Sequence, residues 1–197
     1  MANYTVQSGK AMPFGATVTS TGVNFSIFTR NGTSVTLALF NSEKDAEPSF
    51  TYKLDSHNNH TGDVWHVHVN DLKAGALYLF KVDGPFIPEK GHRFNKHIYL
   101  LDPYAKALTN FSIFKHLPSD YKIPTDNLDI MLGKPISAEY FPKCVVIDDD
   151  AFDWQGDKPL NYPLRQSILY ETHLKGFTCS PSARVSCPGT YRGLIET

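Results

Sequence analysis

A mainly β fold, an antiparallel β-sandwich, is predicted for the first hundred residues, and three observations predict it. Short segments alternate apolar and polar residues with a period of two. Turn residues such as Asn31-Gly32-Thr33 separate them. No helical period runs through this part of the chain.

The strands follow in order. Gly22–Asn31 places Val23, Phe25 and Ile27 on one face and Asn24, Ser26, Phe28 and Arg30 on the other. Ser34–Phe40 follows the turn. Phe50–Asp55 is a third strand. Asp63–Val69 is a fourth, with Trp65, Val67 and Val69 inward and His66 and His68 on an exposed face. Ala76–Gly84 is a fifth, with Tyr78, Phe80 and Val82 on one face and Leu79 and Lys81 on the other. Residues 1–108 are expected to fold alone.

Residues 109–166 read as an ordered linker. Prolines recur at 118, 124, 135, 142, 159 and 163, and a short strand, Cys144–Ile147, precedes the acidic run Asp148–Asp150. Phe141, Phe152 and Trp154 are apolar enough that the linker is expected to wrap against something. From residue 167, "SILYETHLKGF" reads as a strand. "PGTYRGLIET" reads as a helix start with Thr190 as N-cap.

Composition excludes several functions. The chain has 197 residues, 41% hydrophobic and 20% charged, with a formal net charge of −1. No basic field draws it to nucleic acid or an anionic membrane. No apolar run approaches the roughly 20 residues of a membrane helix. The N-terminus has no basic segment followed by an apolar one, so a cytoplasmic protein with reduced Cys144, Cys179 and Cys187 is expected. The five N-x-S/T sequons, from Asn3, Asn24, Asn31, Asn59 and Asn110, then read as chance.

Several residues could carry chemistry. Glu171 and His173 are two apart on the late strand and would share a face, the arrangement of an acid–base pair; the competing reading is a pair of scaffold polar groups. His66 and His68 have a metal-ligand spacing but no third ligand nearby. Asp148–Asp150 lack the spacing and glycine of a calcium loop and read as a solvated turn pairing with Lys or Arg. Trp65 alternates with Val67 and Val69, which places it in the core. Phe28, on the polar face, is the better exposed ring. No cofactor or metal site is expected.

The phrases "MPFGATVTSTGVNFSIFTRN", "GDVWHVHV", "YLFKVDGPFIPEKGHRFN", "LLDPYAKAL", "IDDDAFDW" and "ILYETHLKGFT…PGTYRGLIE" occur in this order. Together they resemble the N-terminal part of bacterial glycogen debranching enzymes and isoamylases of the α-amylase superfamily, from Met12 to Glu196. The resemblance implies an immunoglobulin-like, glycan-binding-type sandwich, a linker, and at 167–197 the first strand of a (β/α)8 barrel that hydrolyses α-1,6 branch points. A complete barrel needs about 250 residues, so the chain is expected to be a truncated N-terminal segment. The family's catalytic carboxylates lie on later strands, and no catalytic residue is carried over. The implied partners are α-glucan and the remaining barrel. Phe28, Phe86 and Lys81 are the candidate glycan-binding residues. In related modules the turn of Phe86 carries a stacking Trp, and the position of Leu79 carries a Lys. Two further functions stay open: a stand-alone α-glucan-binding module, and a barrel-docking domain without glycan affinity.

Overall fold

The computed structural model describes residues 4–109 and 137–197. Two compact units divide the chain, one from Met1 to Phe152 and one from Asp153 to Thr197.

In the first unit the predicted alternation becomes two antiparallel sheets. The first contains β1 (Val6–Gln7), β2 (Gly15–Thr19), β3 (Gly22–Phe28), β6 (His60–Thr61) and β7 (Val64–Asn70), in the order β1-β7-β3-β2 with β6 also on β7. The second contains β4 (Ser34–Phe40), β5 (Phe50–Lys53), β8 (Leu77–Asp83), β11 (Ala107–Leu108) and β12 (Cys144–Val145), in the order β11-β12-β8-β4-β5. A separate ribbon pairs β9 (Phe86–Ile87) with β10 (His92–Arg93).

Register follows burial. Phe25 lies opposite Val67 and Ile27 opposite Trp65, while Leu37 lies opposite Phe80 and Leu39 opposite Tyr78. A one-residue slip would move each apolar set to the other face. The inner faces meet edge to face, Phe25 on Tyr78, with ring centroids 4.9 Å apart. Each such fully buried ring contributes roughly 1.5–3 kcal/mol.

Both outer faces are covered as well. On the first sheet the N-terminal segment lies across the strands. Asn24 binds the Lys10 backbone twice, accepting from its N–H at 2.7 Å and donating to its carbonyl at 2.9 Å. Ser26 donates to Ala11 O at 2.6 Å. Gly9 has φ +79, and a Cβ there would stand 2.7 Å from the Val67 carbonyl carbon, so only glycine lets the segment lie this close. On the second sheet, Leu79 and Phe40 point outward yet are buried, and Phe40 packs against Tyr99 and the Lys143 ammonium.

The 138–143 segment belongs to the sandwich unit, although the sequence pattern assigns it to a linker. Cys144 pairs with both Tyr78 and Leu108. Lys143 is fully buried. Its ammonium donates to the carbonyls of Glu43 (2.8 Å), Phe141 (3.2 Å) and Ala138, and lies 5.1 Å from the Phe40 ring centroid. Burial holds its pKa below the usual lysine range, and Asp45, Glu139 and Glu43 oppose that shift. The predicted Cys144–Ile147 strand is shorter, ending at Val145.

The second unit departs further from expectation. Residues 168–173 have no regular structure, and Leu174–Thr178 is a short helix where a strand is expected. A strand needs at least one neighbour to satisfy its backbone groups in a ladder, and the described residues supply none here. Thr190 caps the helix Tyr191–Ile195 as expected, accepting from Gly193 N–H at 3.1 Å.

Candidate functional site

The outer face at His66 and His68 is a structural layer. Both imidazoles are buried, at 4% and 9% exposure, which corrects the expectation of an exposed face. The Ser8 carbonyl can only accept, so His66 Nδ1 donates to it at 2.8 Å. Nε2 then accepts from the Thr61 hydroxyl, also at 2.8 Å. His68 bonds Asn70 and Thr19, both at 3.0 Å. The covering segment starts before any strand signal, so alternation alone leaves this face looking open. Trp65 sits in the core as expected, stacked on His60 at 4.4 Å.

A second buried polar group lies in the "LLDPYA" segment. Asp102 accepts from the Tyr78 hydroxyl and from Tyr104 N–H, each at 2.8 Å, while its own N–H points to Cys144 Sγ at 3.3 Å. Burial raises the Asp102 and Tyr78 pKa values and pushes the Cys144 thiol up to about 11. A thiol so held is a poor nucleophile. This network ties the segment to β8.

The glycan candidates fall on different surfaces. Phe28 continues the outward row Asn24, Ser26 on β3 and is 49% exposed. Lys81 lies on the outer face of the opposite sheet, paired with Thr36, so one subsite cannot use both. Its ammonium sits 4.0 Å from the Tyr99 ring centroid, and burial holds its pKa below the usual range. Leu79, two residues earlier, is fully buried and presents nothing to a ligand.

Phe86 opens the β9–β10 ribbon, half-buried and opposite Arg93. The ribbon turns at Gly91, φ +80, and Gly84 lets Phe94 pack against the end of β8. Gly91 and Arg93 also line a groove of about 290 Å³, together with Val82, Phe94, Asn95, Ile98 and Leu100; Phe86 is not among its lining residues. Apolar walls with two polar side chains suit an amphipathic ligand. Phe94, Arg93 and Asn95 were not singled out by their pattern, because a loop has no period to reveal which side chains converge.

The remaining candidates are local. Glu171 and His173 are exposed, and His173 Nδ1 accepts from Gly176 N–H at 3.0 Å as a helix N-cap. That is a scaffold role. Asp148 caps the turn Asp149–Ala151, and Asp149 pairs with Lys106, as a solvated turn should. Phe152 and Trp154, expected to be covered, are 65% and 64% exposed. Cys179 and Cys187 are free thiols. No helix among the described residues is long and apolar enough to cross a membrane.

Two antiparallel sheets packed face to face, with a short aromatic ribbon and a groove at one edge, form an immunoglobulin-like sandwich. Residues 13–105 match Carbohydrate-binding module 48 (Isoamylase N-terminal domain), and along nearly its whole length the chain is similar to the N-terminal part of isoamylases and glycogen debranching enzymes. It is 35% identical to isoamylase 1, chloroplastic, of Arabidopsis thaliana, over 98% of this chain and 23% of that protein. It is equally 35% identical to the glycogen debranching enzyme of Yersinia enterocolitica, over 98% of this chain and 27% of that one. The chain thus spans about a quarter of the length of the curated relatives it matches. Among solved structures, the GBS pullulanase SAP in complex with maltotetraose superposes with a TM-score of 0.59 at 20% identity, covering 95% of this chain and 22% of that one. A Paenibacillus barengoltzii pullulanase complexed with maltohexaose and alpha-cyclodextrin gives 0.58 at 17%, covering 95% and 23%. These two likenesses support the fold.

Proposed function

We propose that this chain serves as the non-catalytic N-terminal part of a cytoplasmic glycogen- or starch-debranching enzyme, one that hydrolyses α-1,6-glucosidic branch linkages. The observation that carries this reading is the match to isoamylases and glycogen debranching enzymes along nearly the whole chain. The chain's share is to hold α-glucan and to pack on the catalytic barrel. Glycan contact is assigned to Phe86 and to the groove lined by Arg93, Phe94 and Asn95, with the Lys81 ammonium donating to sugar hydroxyls on the outer face of its sheet and Phe28 as a separate contact on the opposite sheet. The maltooligosaccharides bound by the pullulanase neighbours support α-glucan as the ligand class.

Calorimetric titration of the full chain with maltoheptaose tests the binding. A millimolar Kd is expected. Phe86→Ala should weaken it about threefold to tenfold, the loss of one ring contact. Absence of heat at millimolar ligand would remove the glycan role. A second reading, a docking domain only, is favoured by the exposed row Leu100, Leu101, Tyr104 and Leu108, which offers the barrel an apolar surface.

A further inference from the structure

Two of the three cysteines lie in the second unit, and its short helices bring their chain segments together. Helix Leu174–Thr178 ends on Cys179, its C-cap. Thr190, the N-cap of helix Tyr191–Ile195, stands three residues after Cys187. The two helices pack on each other, and Thr178 fastens them. Thr178 is fully buried, and its hydroxyl accepts from Gly189 N–H at 2.8 Å. The Cys187 carbonyl accepts from the Thr190 hydroxyl at 2.7 Å. Gly189 has φ +70, and a Cβ there would stand 3.1 Å from Cys179 Sγ. The Cys179 thiol therefore faces the backbone two residues beyond Cys187.

We propose that Cys179 and Cys187 form a reversible thiol–disulfide pair, oxidised by a small-molecule disulfide and reopened by a small-molecule thiol. The tie at Thr178 and the contact of Cys179 Sγ at Gly189 set the two segments side by side, the arrangement that a disulfide bridges. Cys179 is exposed and Cys187 half-buried, and both are free thiols, so a reagent reaches them. The loop between them folds back through the turn Pro181–Ala183. The chemistry runs in two exchanges. Cys179, as thiolate, attacks one sulfur of the reagent, whose S–S bond breaks and releases one thiol. Cys187, as thiolate, then attacks the Cys179 sulfur of the mixed disulfide and expels the second. Two protein thiols are oxidised, one reagent disulfide is reduced to two thiols, and both protons end on those thiols. Cys144 is the internal control. It is fully buried in the sandwich, and burial pushes its thiol up to about 11, so it stays reduced in the folded chain. The pair stands independently of the glycan reading.

Oxidised glutathione on the full chain is the probe. After oxidation, iodoacetamide under denaturing conditions should label one cysteine, Cys144, in place of all three. Peptide mapping should join the peptides of Cys179 and Cys187, and dithiothreitol should restore full labelling. Cys187→Ser should leave Cys179 as a lasting glutathione adduct, which separates the two exchanges. The closing exchange should be about tenfold slower or more in urea, where the fold no longer holds the segments together and the effective concentration of Cys187 falls. Three labelled cysteines overturn the pair, as does a glutathione adduct that persists on Cys179 in the unaltered chain. A bond to Cys144 or between two chains overturns it too. So does a closing rate that is the same in urea, because nearness along the chain would then suffice without the fold.

Discussion

Replacing Lys143 with methionine tests whether the 138–143 segment is an integral part of the sandwich. Methionine keeps an unbranched stem of similar length over Phe40 and removes the ammonium. Three carbonyls, of Glu43, Ala138 and Phe141, then lose their donor. Each hydrogen bond from a charged donor contributes about 1.5–3 kcal/mol. Relief of the buried charge returns several kcal/mol. The net expected loss is about 2–4 kcal/mol, the balance of three lost charge-assisted bonds against the relieved desolvation. The assay is urea unfolding in a Trp154→Phe background, so that emission reports Trp65 in the sandwich core. The urea midpoint should fall with an unchanged slope, and the melting temperature should drop by roughly 4–16 °C. Unchanged or increased stability would refute the clamp, because the bonds would then do no more than offset the desolvation of the charge.

Two further outcomes follow from the same packing. Burial raises the folded pKa of Asp102 above its ordinary value, so between those two values the folded state binds more protons than the unfolded one. Stability should therefore fall as pH rises through that window, and Asp102→Asn should flatten the slope in pH-dependent urea midpoints. A chain ending at Phe152 should melt cooperatively near the temperature of the sandwich in the full chain. A chain ending at Leu108 should melt lower, because it lacks β12 and the Lys143 clamp; equal melting temperatures would restore residues 1–108 as the complete folding unit.

Much of the sandwich was legible because alternation is a local property. Ser34–Phe40 matches its predicted bounds, and the other four strands agree to within a few residues at their ends. Trp65 was placed in the core by its neighbours Val67 and Val69 alone. The candidate site was less legible. Phe86 could be named through the resemblance to related modules, whereas Arg93, Phe94 and Asn95 converge on the groove only through the fold of the 84–95 ribbon.

By itself the sequence determined which residues of the strands share a face and the resemblance to isoamylases, since each is written in residue order and spacing, whereas strand pairing and register came from the structure. Only the tertiary structure decided what covers the outer faces. His66 and His68 looked exposed until the N-terminal segment lay over them, and the outward Phe40 is covered by Tyr99 and Lys143. The tertiary structure also decided that Lys143 is internal, though its charge argues for the surface. Periodicity reports which residues share a face, but what lies against that face comes from chain segments dozens of residues away, and no local pattern records them.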